Sequence, residues 1–167
     1  MQRPIDGEDK MTQRLLFNTT RSILIERGAA ARLAERVQAM GHRSVLLVTD
    51  AGVRAAGLLA PLESGFARLG IGLQVFDGVQ ADPPESVILD AVQVAWQSGA
   101  DCVIGFGGGS SLDAAKLTAL LARSEETLAD IYGIDKTNGR RLPLILVPTT
   151  AGTGSEVTAV SVITTGE

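Results

Sequence analysis

Residues 104–116 read Ile-Gly-Phe-Gly-Gly-Gly-Ser-Ser-Leu-Asp-Ala-Ala-Lys. An apolar run from Asp101 to Phe106 leads into this stretch, and Ser110 to Ala122 carry a helical pattern. Strand, glycine cluster and helix thus follow one another with nothing between. Glycines let a backbone approach a phosphate without interference from Cβ, and a helix N-terminus offers unpaired N–H groups at the positive end of its dipole. Gly107 to Ser110 would then cradle a diphosphate. The Gly-x-Gly-x-x-Gly dinucleotide fingerprint is not met, because its sixth position is Ser110. Two plainer readings compete. Ser110 and Asp113 also suit a helix cap with a first-turn acid, and Asp113 with Lys116 suits a surface ion pair.

Working outward, Ser44–Thr49 is a continuous apolar run, the kind buried on both faces of a parallel sheet. Leu73–Phe76 and Leu142–Val147 read as further strands, and Leu15–Phe17, Ser22–Ile25 and Val157–Thr164 as shorter β-type runs. Gly28 opens a helical stretch whose apolar positions Ala29, Leu33, Val37 and Met40 share one face, and Gly41 closes it. Leu58–Leu69 is helical, Asp77-Gly78 a turn, and Pro84 the first residue of a helix running to Gln97. Strands alternating with helices across short Gly/Pro links imply βαβ units. The expected fold class is α/β, a doubly wound, mostly parallel, Rossmann-like sheet spanning residues 13–167, with residues 1–12 as a polar tail.

Composition narrows the function classes. Hydrophobic content of 45% and a mean hydropathy of +0.20 supply apolar surface for a core, so global disorder is not expected. A net charge of −4 argues against nucleic acid, whose phosphates need a basic face. No apolar run approaches the ~18–20 residues of a membrane span. The polar N-terminus lacks the apolar stretch of a signal peptide. The single cysteine, Cys102, lies in an apolar run and reads as a small buried hydrophobe, as suits a cytoplasmic location.

Two more stretches bear on chemistry. Thr149 to Gly154 are hydroxyl or glycine residues apart from Ala151, and they follow a buried strand. Polar groups at the carboxyl end of such a strand suit a polar ligand, although a Gly-rich link with Ser/Thr turns fits as well. Asp50 ends the first buried strand, where a carboxylate can hold an adenosine ribose and repel a 2′-phosphate. Capping the helix that starts at Gly52 is the alternative.

Taken together, VTDAG (Val48–Gly52), FDGVQADPP (Phe76–Pro84), GFGGGSSLDAAK (Gly105–Lys116) and PTTAGTGSEVT (Pro148–Thr158) resemble the iron-containing (group III) alcohol dehydrogenase family. That family is related in fold to glycerol dehydrogenase and dehydroquinate synthase. The resemblance implies a dehydroquinate synthase-like N-terminal domain that binds NAD, without the C-terminal helical domain. It implies that Gly108, Gly109 and Ser110 wrap the NAD diphosphate and that Asp113 lies close to the dinucleotide. It places Thr149, Thr150 and Thr153 on the adenine side and diphosphate, and the backbone near Val162 in the same cleft. Asp50 matches the position that favours NAD over NADP. Many members carry Asn where this chain has Asp82.

Members also hold Fe²⁺ or Zn²⁺ through one Asp and three His in the C-terminal domain, and this sequence has one histidine, His42, expected in an exposed loop. The resemblance therefore implies alcohol oxidation or aldehyde reduction by the intact enzyme, with no catalysis or metal binding by this stretch alone. An apolar cleft wall left uncovered would drive association, so a homo-oligomer is expected. The alternatives are a non-catalytic nucleotide-binding module, or another metal-dependent reductase on the same fold, such as maleylacetate reductase.

Overall fold

The computed structural model describes residues 20–166. Its centre is a parallel sheet of β1 (Ser44–Asp50), β2 (Gly72–Val79), β3 (Cys102–Gly107) and β4 (Leu144–Pro148), in the order β2-β1-β3-β4. Successive side chains of a strand point to opposite faces. Leu46, Val48 and Val103 accordingly pack under α4 (Glu85–Gln97) and α5 (Gly109–Leu121). Val45, Leu47, Cys102 and Ile104 pack on the other face, under α1 (Leu33–Ala39) and α3 (Ala60–Leu69). A short helix, α2 (Ala51–Ala55), follows β1 directly. Helices on both faces of a parallel sheet make this the doubly wound α/β fold that the sequence predicts. From β1 the chain moves outward to β2, then crosses back through α4 to β3 on the other side. The strand order therefore reverses between β1 and β3.

One contact sets the seating of the central helix. A Cβ on Gly105 would lie 2.7 Å from Ala115 Cβ and 2.8 Å from Leu146 Cδ2. Helix α5 therefore rests directly on the β3 backbone, and it buries residues on most sides, including Leu112, Ala115, Thr118 and Ala119. Such close approach requires a small side chain where the helix meets the strand, and Ala115 provides it. Cys102 is fully buried, and burial, reinforced by the Asp101 charge, pushes its thiol up to about 12.

Several local expectations change. Ser22–Ile25 forms no strand: its side chains are exposed, Ile25 at 92%, and it pairs with no described strand. Val157–Thr164 also forms no regular strand: Thr164 makes an isolated bridge with Pro84, and Ile163 packs against the core. Its Thr158 and Val160 carbonyls and its Val162 amide are bonded by side chains of α5 instead. Asp77-Gly78 lies inside β2 rather than in a turn, at a bulge where Asp50 faces both Gly78 and Val79. Pro84 caps α4 in extended conformation, and Glu85 is the first helical residue. The helix after Gly28 begins as a 3-10 turn (Ala30–Arg32), and its Met40 is exposed. The helix expected from Leu58 starts at Ala60. Leu15–Phe17 and the polar tail over 1–12 fall outside the described residues.

Replacing Gly105 with Ala forces α5 off β3, and overpacking of this kind costs about 1–3 kcal/mol. Urea denaturation of the wild-type and Gly105→Ala chains should show that loss; equal midpoints would mean that the helix is free to shift.

Candidate functional site

Where strand order reverses in such a sheet, two loops leave in opposite directions and open a crevice at the carboxyl ends of the strands. The structure has a cavity of about 400 Å³ there. It is lined by Asp50–Gly52 after β1, Val79–Ala81 at the end of β2, and Gly108–Ser111 after β3. Four of the residues expected from the sequence, Asp50, Gly108, Gly109 and Ser110, thus meet in one place.

The turn from β3 into α5 depends on glycine at one residue above all. Gly107 has φ +153°, which side chains rarely adopt, and a Cβ there would lie 2.6 Å from Ser111 Oγ. Gly108 then takes the cap position of α5 with no side chain bonded to the first-turn amides. Uncapped amides at a helix N-terminus facing a cavity are donors available to an anion.

Asp50 combines the two roles that the sequence left open. Its Oδ1 accepts the Val53 N–H at 2.9 Å, which caps α2. Its Oδ2 accepts the Ser111 hydroxyl at 3.1 Å. The carboxylate is therefore held between two strand ends while still lining the cavity. Ser111 was not singled out in the sequence. It lies one turn beyond Gly107 on the crowded side of the helix, and only the fold reveals the hydroxyl's reach across to Asp50.

The threonine loop lies beside this turn rather than in the cavity lining. Thr149 N–H donates to Gly107 O at 2.9 Å. A Cβ on Gly108 would meet Thr150 Oγ1 at 3.5 Å, and one on Gly109 would meet Ser155 Oγ at 3.4 Å and Thr153 Cβ at 3.5 Å. Thr149, Thr150 and Thr153 are exposed next to the glycine turn, and Thr153 donates to Glu156 Oε2 at 3.0 Å. Asp113 and Val162 do not line the cavity. Asp113 is buried, paired with Lys116 at 2.8 Å, and its Oδ2 accepts the Val162 N–H at 3.0 Å. The ion pair weighed from the sequence exists, but it is buried rather than on the surface.

The turn after β2, within the FDGVQADPP stretch, brings Val79–Ala81 to the cavity. Asp82 has φ +47°, a left-handed conformation that Asp and Asn tolerate better than most side chains. Asn would tolerate the same conformation before the prolines. His42, expected in an exposed loop, is largely covered, with Nδ1 3.7 Å from Asp101 Oδ1. It lines a second cavity, at the amino ends of the strands, with Arg123 and Arg141. Among the described residues no three His, Cys, Asp or Glu side chains are placed to hold a metal ion.

The model of the family described as iron-containing alcohol dehydrogenase matches residues 20–167. The chain belongs to that family. Alcohol dehydrogenase 4 of Schizosaccharomyces pombe is 35% identical over 141 residues, covering 84% of this chain and 33% of that protein. A crystal structure of 1,3-propanediol oxidoreductase superposes with a TM-score of 0.85 at 31% identity, over 92% of this chain and 40% of that one. The sulfoacetaldehyde reductase of Bifidobacterium kashiwanohense, solved with NAD⁺, matches with a TM-score of 0.79 at 29% identity, over 91% of this chain and 41% of that one. The chain thus spans about a third to two fifths of the length of these relatives.

The cap role of Asp50 can be separated from its charge. Asp50→Ala should lose about 1 kcal/mol of stability, whereas Asp50→Asn, which caps as well, should stay within about half of that. Chemical denaturation of both variants checks this, and an equally large loss in Asp50→Asn would show that the charge rather than the cap stabilises the strand end.

Proposed function

We propose that this chain binds NAD(H) as the nucleotide-binding part of an iron-dependent alcohol dehydrogenase. The observation that carries the reading is the meeting of Asp50 with the uncapped Gly108–Ser110 turn in one cavity at the strand-order reversal. The residues present fit a dinucleotide. The α5 amides donate to the diphosphate, and the Asp50 carboxylate accepts from an adenosine ribose hydroxyl while staying fixed by Val53 N–H and Ser111. Thr149, Thr150 and Thr153 stand beside the same turn, where they reach the diphosphate and adenine.

When bound, NAD supplies the hydride acceptor. The described residues do not fit the family's metal, since they offer no cluster of ligands for it. The whole protein would act on a small alcohol or aldehyde, the class that the relatives' names indicate. The buried single cysteine and the absence of any described helix long and apolar enough to cross a membrane accord with a cytoplasmic setting. Val157, Val160 and Val162, exposed beyond β4, offer apolar surface for self-association into a homo-oligomer.

A 2′-phosphate near Asp50 meets a like charge, so NADH should bind at least about tenfold more tightly than NADPH, a difference of about 1.4 kcal/mol. Asp50→Asn should narrow that preference, and Gly108→Val should abolish binding of both while circular dichroism stays unchanged. Fluorescence titration of the chain with each nucleotide reads all three. A wild-type preference for NADPH, or undiminished binding by Gly108→Val, would contradict the assignment.

A further inference from the structure

Lys116 lies one turn beyond Asp113 on α5, and its side chain is only 12% exposed. Its ammonium donates to the carbonyl oxygens of Ser155 at 3.0 Å, Thr158 at 3.3 Å and Val160. Asp113 Oδ1 receives no well-angled hydrogen bond; it is balanced instead by the Lys116 charge at 2.8 Å. Asp113 Oδ2 accepts the Val162 N–H. One buried ion pair is thus tied to four points of a stretch that has no helix or regular strand. Backbone groups left without such partners would be costly wherever water is excluded.

The ends of this stretch are also anchored. At one end Thr153 and Ser155 lie against Gly109. At the other, Thr164 N–H donates to Pro83 O at 3.0 Å and its hydroxyl to Asp82 O at 2.9 Å, at the turn that follows β2. The 149–164 segment therefore runs from the glycine turn at the start of α5 to the turn that follows β2, and the Lys116–Asp113 pair holds its middle. Three carbonyls and a carboxylate already engage the ammonium, so its donors are taken up within the protein.

We infer that Lys116 and Asp113 are positioning residues that fasten this segment beside the glycine turn, so that Thr149, Thr150 and Thr153 face the dinucleotide, and that neither charged group contacts the dinucleotide itself. The inference rests on the NAD(H) reading above for its nucleotide arm, and on the geometry alone for its segment arm. Removing the Lys116 side chain leaves a cage of carbonyls and a carboxylate, which a small alkylammonium ion fits.

The test uses the full chain with Lys116→Ala, and the paired variant Lys116→Met with Asp113→Asn, which leaves no buried charge unmatched. Hydrogen exchange is read without nucleotide, and NADH affinity by fluorescence titration. In both variants exchange over residues 155–164 should rise about tenfold while β1 and β3 amides stay protected. NADH binding should weaken about tenfold. For Lys116→Ala, millimolar ethylammonium should restore both readings, and tetramethylammonium, which has no N–H, should restore neither.

Unchanged exchange over 155–164 in both variants would overturn the inference. So would weakened NADH binding without faster exchange, which would make Lys116 a direct contact of the dinucleotide. If the wild-type chain fails to bind NADH, the NAD(H) reading fails, and the exchange arm still decides the role of the ion pair.

Discussion

The candidate site depends on the direct contact between helix α5 and strand β3 at Gly105. With no Cβ there, Ala115 and Leu112 come down onto the strand backbone, and the helix must begin immediately after the strand ends. Gly107 makes that sharp start possible through a φ that side chains rarely adopt. The consequence is positional. The first amides of α5 emerge at the point where strand order reverses, beside the carboxyl ends of β1 and β2. A bulky residue at Gly105 would tilt the helix and carry those amides away from Asp50.

The rest of the cavity is built around that helix start by elements that each contribute little alone. Asp50 ends β1 and is locked by its own cap and by Ser111, so its position follows from two strands and a helix at once. The turn at Asp82 follows the part of the lining that β2 supplies, and the threonine segment follows β4 beside the glycine turn. The two are joined through Thr164. The lining is therefore fixed by strand ends and the helix start, and the segment after β4 is held beside it by its anchors.

The sequence made the sheet legible because its signals are local. Continuous aliphatic runs such as Ser44–Thr49 and the glycine cluster after Phe106 carry their meaning within a few residues. The doubly wound fold, the family and four residues of the cavity follow from them. Less legible were features that depend on partners distant in sequence. Val157–Thr164 has the composition of a strand, yet Lys116 and Asp113 on α5 capture its carbonyls and an amide. Ser22–Ile25 is equally apolar, but β propensity without a neighbouring strand forms no ladder. The resemblance implies that Asp113 lies close to the dinucleotide, and only the fold shows that its carboxylate is buried against Lys116. His42 follows a helix-ending glycine, and only the fold brings it beside Asp101, just before β3.

The most direct measurement is a ¹⁵N-resolved NMR titration of the chain with NADH. Binding at the strand-order reversal predicts shifts in the amides of Asp50–Gly52, Val79–Ala81 and Gly108–Ser111, with smaller ones in the adjoining threonine loop. The amides around His42, Asp101 and Arg141, at the opposite ends of the same strands, should remain still. Shifts confined to that opposite end, or saturation without movement of Gly108–Ser111, would contradict the placement of the nucleotide at the start of α5.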